Sequence, residues 1–235
     1  MIRTFDIFIV LCLSSFVFVK GQHDHKVKVD VYYESLCTDS IAFITQQLHP
    51  ALQKPEINKH VNLTLVPYGK STTSTDGNDL KFSCHHGEGE CIGNKIHACA
   101  LTRIVPTPDG QNKVAFDFIN CLLAKVKNDG EKTNFPVKTC AETEKVQVQA
   151  DIESCAKSHD GSLQLDIYGK KTKALQDPLK SVPTVVFDGK LDAAVNAEAQ
   201  KNFIGTLCKY IDVAHGKPAE CQKSGAEDQA KPLEV

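Results

Sequence analysis

The chain has 235 residues, 41% of them hydrophobic and 24% charged, which is enough to bury a sizeable core. Its 27 Lys+Arg against 29 Asp+Glu give a formal net charge of −2, so no broad basic surface is on offer to phosphates and nucleic acid is excluded as an expected partner. Ten cysteines are the unusual component.

Residues Met1 to Gly21 read as a signal peptide: an early Arg3, an apolar run from Ile7 to Val19, then Val19-Lys20-Gly21, which suits cleavage before Gln22. The run is shorter than the roughly 20 apolar residues that cross a bilayer, and no later segment is apolar enough, so no membrane span is expected in the mature chain. An oxidising compartment follows, where cysteines pair as disulfides. Cleavage removes Cys12 and leaves nine: Cys37, Cys84, Cys91, Cys99, Cys121, Cys140, Cys155, Cys208 and Cys221. An odd count requires at least one thiol to stay free or to bind something outside the chain.

Local context selects Cys37. Val27-Lys28-Val29-Asp30-Val31 alternates apolar and charged residues at period two, the pattern of a half-buried strand that runs on through Tyr32 and Tyr33. Beyond Ser40, Ile41, Ile44, Leu48 and Ala51 recur at helical spacing, and Pro50 and Pro55 mark where that helix should falter. Cys37 therefore sits where a strand hands over to a helix, whose unpaired N–H groups and positive end favour a thiolate. A buried or disulfide-bonded cysteine is the ordinary alternative, and the odd count together with the strand-helix junction argues against it.

Val61-Asn62-Leu63-Thr64-Leu65-Val66 is a second strand. It carries the only sequon, Asn62-Leu63-Thr64, and alternation turns Asn62 away from the core, so a glycan there would meet solvent. Strand, helix, strand implies two parallel strands joined by a crossover. From about Asp79 to Ala174 strand signals are sparse. Val114, Phe118, Cys121, Leu122 and Lys125 fit one amphipathic helix, and Glu142 to Cys155 suggests more helix with Ile152 inward. This reads as a helical insertion, since the flanking halves need each other to complete the sheet. The second half begins with Val182-Pro183-Thr184-Val185-Val186-Phe187, a buried strand; Asp188-Gly189 is a tight-turn pair and Lys190-Leu191 opens a return strand. Ala199, Phe203, Ile204 and Leu207 supply the stripe of a final helix containing Cys208. The expected architecture is α/β, a thioredoxin-like fold over residues 22–221 with a disulfide-rich helical insertion and a mobile tail at 222–235.

The densest constellation is Cys84-His85-His86-Gly87-Glu88-Gly89-Glu90-Cys91-Ile92-Gly93-Asn94-Lys95-Ile96-His97-Ala98-Cys99. Thiolates and imidazoles are zinc ligands, yet the usual C-x2–4-C spacing is absent and the compartment favours oxidation, so a disulfide-tied loop and no metal are expected. The stretch resembles the signature of the gamma-interferon-inducible lysosomal thiol reductase (GILT) family, C-Q-H-G-x2-E-C-x2-N-x4-C. It matches at Cys84, His86, Gly87, Glu90, Cys91, Asn94 and Cys99 and departs at His85, where the family has Gln. The likeness extends to the strand into Cys37, to Leu65-Val66-Pro67-Tyr68-Gly69, to Val182-Pro183 with its Asp188-Gly189-Lys190 turn, and to Cys208 and Cys221.

The resemblance implies a secreted or endolysosomal thiol-disulfide oxidoreductase acting on disulfide-containing proteins through a C-x-x-C pair. This chain has Cys37-Thr38-Asp39-Ser40 instead. A thiolate at Cys37 can form a mixed disulfide, but a serine hydroxyl cannot resolve it, so dithiol reduction is expected to be weak or to depend on glutathione or another small thiol. No other cofactor is expected. Ser40 is expected to reach Cys37 with a hydrogen bond, and Asp39, if close, to oppose the thiolate. Val182-Pro183 resembles the cis-proline element that faces the active cysteine and pairs with substrate backbone in such folds. The alternative is a secreted binding protein that keeps the scaffold without the reductase chemistry, with an extracellular protein as partner.

With Cys37 set aside, the remaining eight cysteines suit four disulfides, with 105 possible pairings. Across one straight helix Cys140 and Cys155 would lie about 22 Å apart, beyond the roughly 7 Å limit for a bridge, so pairing them needs a bend near Gln147. Cys208 with Cys221 is easier, because Gly216 and Pro218 let the chain fold back. Cys84, Cys91, Cys99 and Cys121 are expected to pair among themselves or with the helical insertion. His23 and His25, in a charged terminus, read as solvated.

Overall fold

A computed structural model describes residues 26–77, 79–107, 112–130, 132–212 and 216–222. The expected signal peptide at Met1 to Gly21 and all of the expected tail beyond Gln222 lie outside the described residues.

The first strand, β1 (Val27–Tyr33), is the centre of a three-stranded sheet. The chain then forms α1 (Thr38–Phe43), a π turn (Ile44–Leu48), α2 (His49–Leu52) and α3 (Pro55–Asn58) before β2 (Val61–Pro67), which lies parallel to β1 with Val27 opposite Val61 and Tyr33 opposite Pro67. A surface hairpin, β3 (Thr72–Asp76) with β4 (Asp79–Ser83), leads into α4 (Glu88–Arg103) and α5 (Lys113–Lys125). A second small hairpin, β5 (Lys127–Asn128) with β6 (Thr133–Asn134), precedes α6 (Val137–Thr143), α7 (Gln149–Lys157) and α8 (His159–Leu175). Then β7 (Thr184–Phe187) pairs antiparallel with β1 on the side away from β2, and α9 (Ala193–Lys201) and α10 (Phe203–Leu207) follow.

Alternation divides β1 between two apolar clusters. Val27, Val29, Val31 and Tyr33 join the main core with Phe43, Ile44, Leu48, Phe118, Phe187 and Phe203, while Tyr32 joins Val66, Leu179 and Val186 beneath Tyr168 and Leu175 of α8. The strand is thus covered on both faces, not half-buried. Asp30, 3% exposed, tolerates this because Lys28 Nζ and Lys171 Nζ reach its carboxylate at 3.3 and 3.2 Å. On β2, Asn62 is exposed while Val61 and Leu65 are buried.

Three expectations are corrected. The helix after Cys37 does not falter at Pro50. It passes through by widening: the His49 N–H reaches back five residues to the Ile44 carbonyl, which relieves the clash and missing bond that a proline imposes on an α-helix. Asp188-Gly189 does turn the chain, with φ of 47° and 73°, but only a single bridge from Phe187 to Lys190 follows and no return strand forms. Asp192 caps α9 there, its carboxylate accepting from the N–H groups of Ala194 and Val195. The final helix is two pieces, because the Asn202 side chain starts a new one by accepting from the Gly205 N–H.

Four disulfides staple the helical region and the C-terminal segment: Cys84–Cys91, Cys99–Cys155, Cys121–Cys140 and Cys208–Cys221. Cys140 and Cys155 are separated by a break between α6 and α7, where Lys145 takes φ of 56°, and each pairs with a different helix, α5 and α4 respectively.

Candidate active site around Cys37

Cys37 is the N-cap of α1, in extended conformation at φ −67° and ψ 120°, and its carbonyl accepts the Ile41 N–H at 2.9 Å to open the helix. Among the described cysteines it alone is unpaired, and it is buried, with 8% of its surface exposed, so the sequence expectation holds for its free thiol and not against its burial. Its Sγ lies 3.9 Å from the carbonyl oxygen of Val182, the residue before the cis peptide bond to Pro183. The fold therefore joins Cys37 to Val182-Pro183 from the far end of the chain.

Ser40 sits one turn along α1, fully buried. Its Oγ accepts the Glu34 N–H at 3.5 Å, and no hydrogen bond joins it to Cys37, contrary to expectation. Three residues past the cap, this side chain turns back under the loop that feeds the helix instead of up toward the sulfur. Asp39 is exposed in the first turn.

The loop Glu34-Ser35-Leu36 is held from two directions. The Ser35 N–H donates to Asn94 Oδ1 at 2.9 Å, and Ser35 Oγ donates to the Glu90 carbonyl at 3.1 Å, both on α4. From the turn after β2, the Lys70 N–H donates to Glu34 Oε1 at 2.6 Å, and Gly69, at φ 58°, packs so closely that a Cβ there would come within 2.2 Å of Glu34 Cγ. Signature residues Glu90 and Asn94 thus set the stance of Cys37 from outside the strand-helix unit. Gly93 makes this approach possible, since a Cβ would meet Phe135 Cζ at 2.2 Å and Ser35 Oγ at 2.4 Å. We expect Gly93→Ala to cost about 1–3 kcal/mol in denaturant unfolding through this overpacking, and to speed alkylation of Cys37 as the loop loosens. An unchanged unfolding midpoint would contradict it.

Two groups that sequence reasoning passed over shape the electrostatics. Glu34 has its side chain fully buried, and burial raises its carboxyl above the ordinary range, with the Lys70 N–H pulling the other way, the Glu90 charge adding to the rise, and His85 and His86 opposing it. His97, fully buried on α4, is lowered to about 3 by burial, and its Nδ1 lies 3.0 Å from the Tyr33 hydroxyl. Tyr33 is itself raised well above 10.0, chiefly by burial. No spacing rule marks Glu34, because its partners come from three separate segments; His97 lies inside the signature at an unspecified position. Glu34, His85 and His86 each place a possible ligand atom within 4.8 Å of the others.

A family model described as gamma interferon inducible lysosomal thiol reductase (GILT) matches residues 28–159. GILT-like protein 1 of Drosophila melanogaster is 40% identical over 222 residues, covering 92% of this chain and 87% of that protein. The gamma-interferon-inducible lysosomal thiol reductase-like protein of Anopheles gambiae is 42% identical over 216 residues, covering 90% and 86%. In fold, the chain is similar to the thiol-disulfide oxidoreductase MdbA of Actinomyces oris, with TM-score 0.54 at 15% identity and 83% of each chain covered. It is also similar to DsbA of Chlamydia trachomatis, with TM-score 0.51 at 14% identity over 75% of this chain and 84% of that one.

Proposed function

Because this chain belongs to the gamma interferon inducible lysosomal thiol reductase family and has a thioredoxin-like fold, we propose that it is a monothiol oxidoreductase acting on protein disulfides in the secretory or endolysosomal lumen, with Cys37 as its nucleophile. The observation that carries this is the unpaired Cys37 at a helix N-cap with its sulfur 3.9 Å from the Val182 carbonyl. A substrate strand running past Val182 would bring its disulfide to that sulfur.

The chemistry balances with a small thiol. Cys37 thiolate attacks one sulfur of the substrate disulfide, forming a mixed disulfide and expelling the other sulfur as a thiolate. A glutathione thiolate then attacks Cys37 Sγ, releasing the second substrate thiol and leaving glutathione on Cys37. A second glutathione removes the first as glutathione disulfide and restores the free thiol. Two small thiols are oxidised for each substrate disulfide reduced. Ser40 takes no part in electron transfer, and its buried hydroxyl supports the loop through Glu34. The exposed Asn62 on β2 supports a glycan acquired on the same route.

Incubating the purified chain with a disulfide peptide is expected to yield a mixed disulfide mapped to Cys37, and turnover that requires added glutathione. Cys37→Ser is expected to lose both. Equal turnover by that variant would refute the proposal, and capture of a partner protein equally by both forms would favour a secreted binding protein that keeps the scaffold without the reductase chemistry.

A further inference from the structure

Beside the loop that carries Cys37 lies a second constellation with its own chemistry. Two carboxylates, Glu34 and Glu90, are fully buried. Glu34 Oε2 hydrogen-bonds to nothing among the described residues, yet it faces His86 Nδ1 at 3.4 Å and His85 Nδ1 at 3.5 Å. Glu90 Oε2 lies 2.6 Å from the same His86 Nδ1, and Glu90 Oε1 accepts the His86 N–H at 3.1 Å. The two imidazoles are 4.6 Å apart between ring centroids and partly open to solvent, so the cluster joins exposed imidazoles to buried carboxylates.

A buried pair of carboxylates demands compensation, and apart from these two imidazoles no described Lys or Arg side chain pairs with Glu34 or Glu90. One divalent cation would balance both charges at once. The spacing fits such an ion: around a tetrahedral zinc with bonds of roughly 2.0 Å, neighbouring ligand atoms stand about 3.3 Å apart. Glu34 Oε2 already stands at 3.4 and 3.5 Å from the two imidazole nitrogens. Imidazole nitrogen with carboxylate oxygen is a donor set that zinc accepts. The cysteines of this stretch are unavailable, since Cys84 is bonded to Cys91 and Cys99 to Cys155.

We propose that Glu34 Oε2, His85 and His86 form a zinc site on the outer side of the Cys37 loop. Zinc takes the place of the proton between His86 Nδ1 and Glu90 Oε2, that proton leaves to solvent, and Glu90 draws back from its 2.6 Å contact and supplies the second negative charge. His85, the residue at which this chain departs from the family signature, provides the ligand that glutamine would not. The site is independent of the redox reading and uses no sulfur.

The test is calorimetric titration of the purified, tag-free chain with zinc chloride at neutral pH, with His23 and His25 replaced by alanine in every arm to remove the other histidine pair. One zinc per chain is expected. His85→Gln, a change at a half-exposed side chain, is expected to weaken binding at least about tenfold while leaving circular dichroism unchanged, and Glu34→Gln to do the same. Cys37→Ser is expected to bind zinc as well as the parent. Cobalt in place of zinc should show no thiolate charge-transfer band. The proposal is overturned by the lack of saturable one-to-one binding, by equal affinity in His85→Gln, or by loss of binding in Cys37→Ser.

Discussion

Ser40→Cys is expected to convert the chain from a monothiol into a dithiol reductant. After treatment with glutathione disulfide, the parent should carry one glutathione on Cys37. The variant should instead show an internal disulfide between Cys37 and the introduced thiol, with no adduct. The reason is proximity: a thiol one helical turn away attacks the mixed disulfide within the same molecule, whereas the parent waits for a bimolecular encounter. At low glutathione, where that encounter limits turnover, reduction of a disulfide peptide should rise by about tenfold or more. The introduced sulfur occupies a fully buried position beneath the Glu34 N–H, so it must swing toward Cys37. Mass mapping and initial rates check this together, and an adduct that persists in the variant with unchanged rates would show that the position cannot reach the sulfur.

Acidification is expected to act on stability through His97. Its folded value is about 3 against an ordinary 6.5, because the ring is buried and its Nε2 has no acceptor for an added proton. The unfolded chain therefore takes up a proton as pH falls below 6.5 while the folded chain does not until about pH 3. The contribution of this residue is complete above that window and is lost progressively within it, by up to about 1.4 kcal/mol per pH unit. Glu34 works in the opposite sense: its raised folded value lets the native state bind a proton first, which favours the fold as pH falls toward 4.5. Urea unfolding at several pH values, compared between the parent and His97→Gln, isolates the histidine. The parent should lose about 2–3 kcal/mol more than the variant between pH 6.5 and 4.5, and parallel curves would show that His97 titrates alike in both states.

The elements that build the thiol's immediate surroundings were legible because each is written locally. Period-two alternation marks β1 and β2, the strand-to-helix junction marks Cys37, and Val182-Pro183 opens a buried strand that the fold returns to it. What escaped depends on residues distant in sequence. Covering β1 on its second face required α8, whose Lys171 neutralises Asp30 from 141 positions away. In the surface hairpin, β3 carries only Thr, Ser and Asp, with no apolar residue to mark it, and the alternation of Leu80 and Phe82 in β4 is too short to stand out alone. Pro50 carries a real signal for a break, which the structure absorbs in a wider turn. Glu34 and Ser40 have no pattern of their own, and their roles arise only where the loop meets α4 and the Gly69 turn.

The clasp of Ser35 by Asn94 and Glu90 changes what the minimal machine is. In this architecture the strands and first helix do not by themselves set the Cys37 thiol; they are steadied by a helix more than fifty positions downstream, itself bolted to α7 through Cys99 and Cys155. Trimming the insertion to recover a bare sandwich would leave the sulfur on an unmoored hinge. Reagents that open the Cys99–Cys155 staple would accordingly loosen the setting of Cys37 at a distance, so that one of the chain's own cross-links governs how steadily its unpaired sulfur is held.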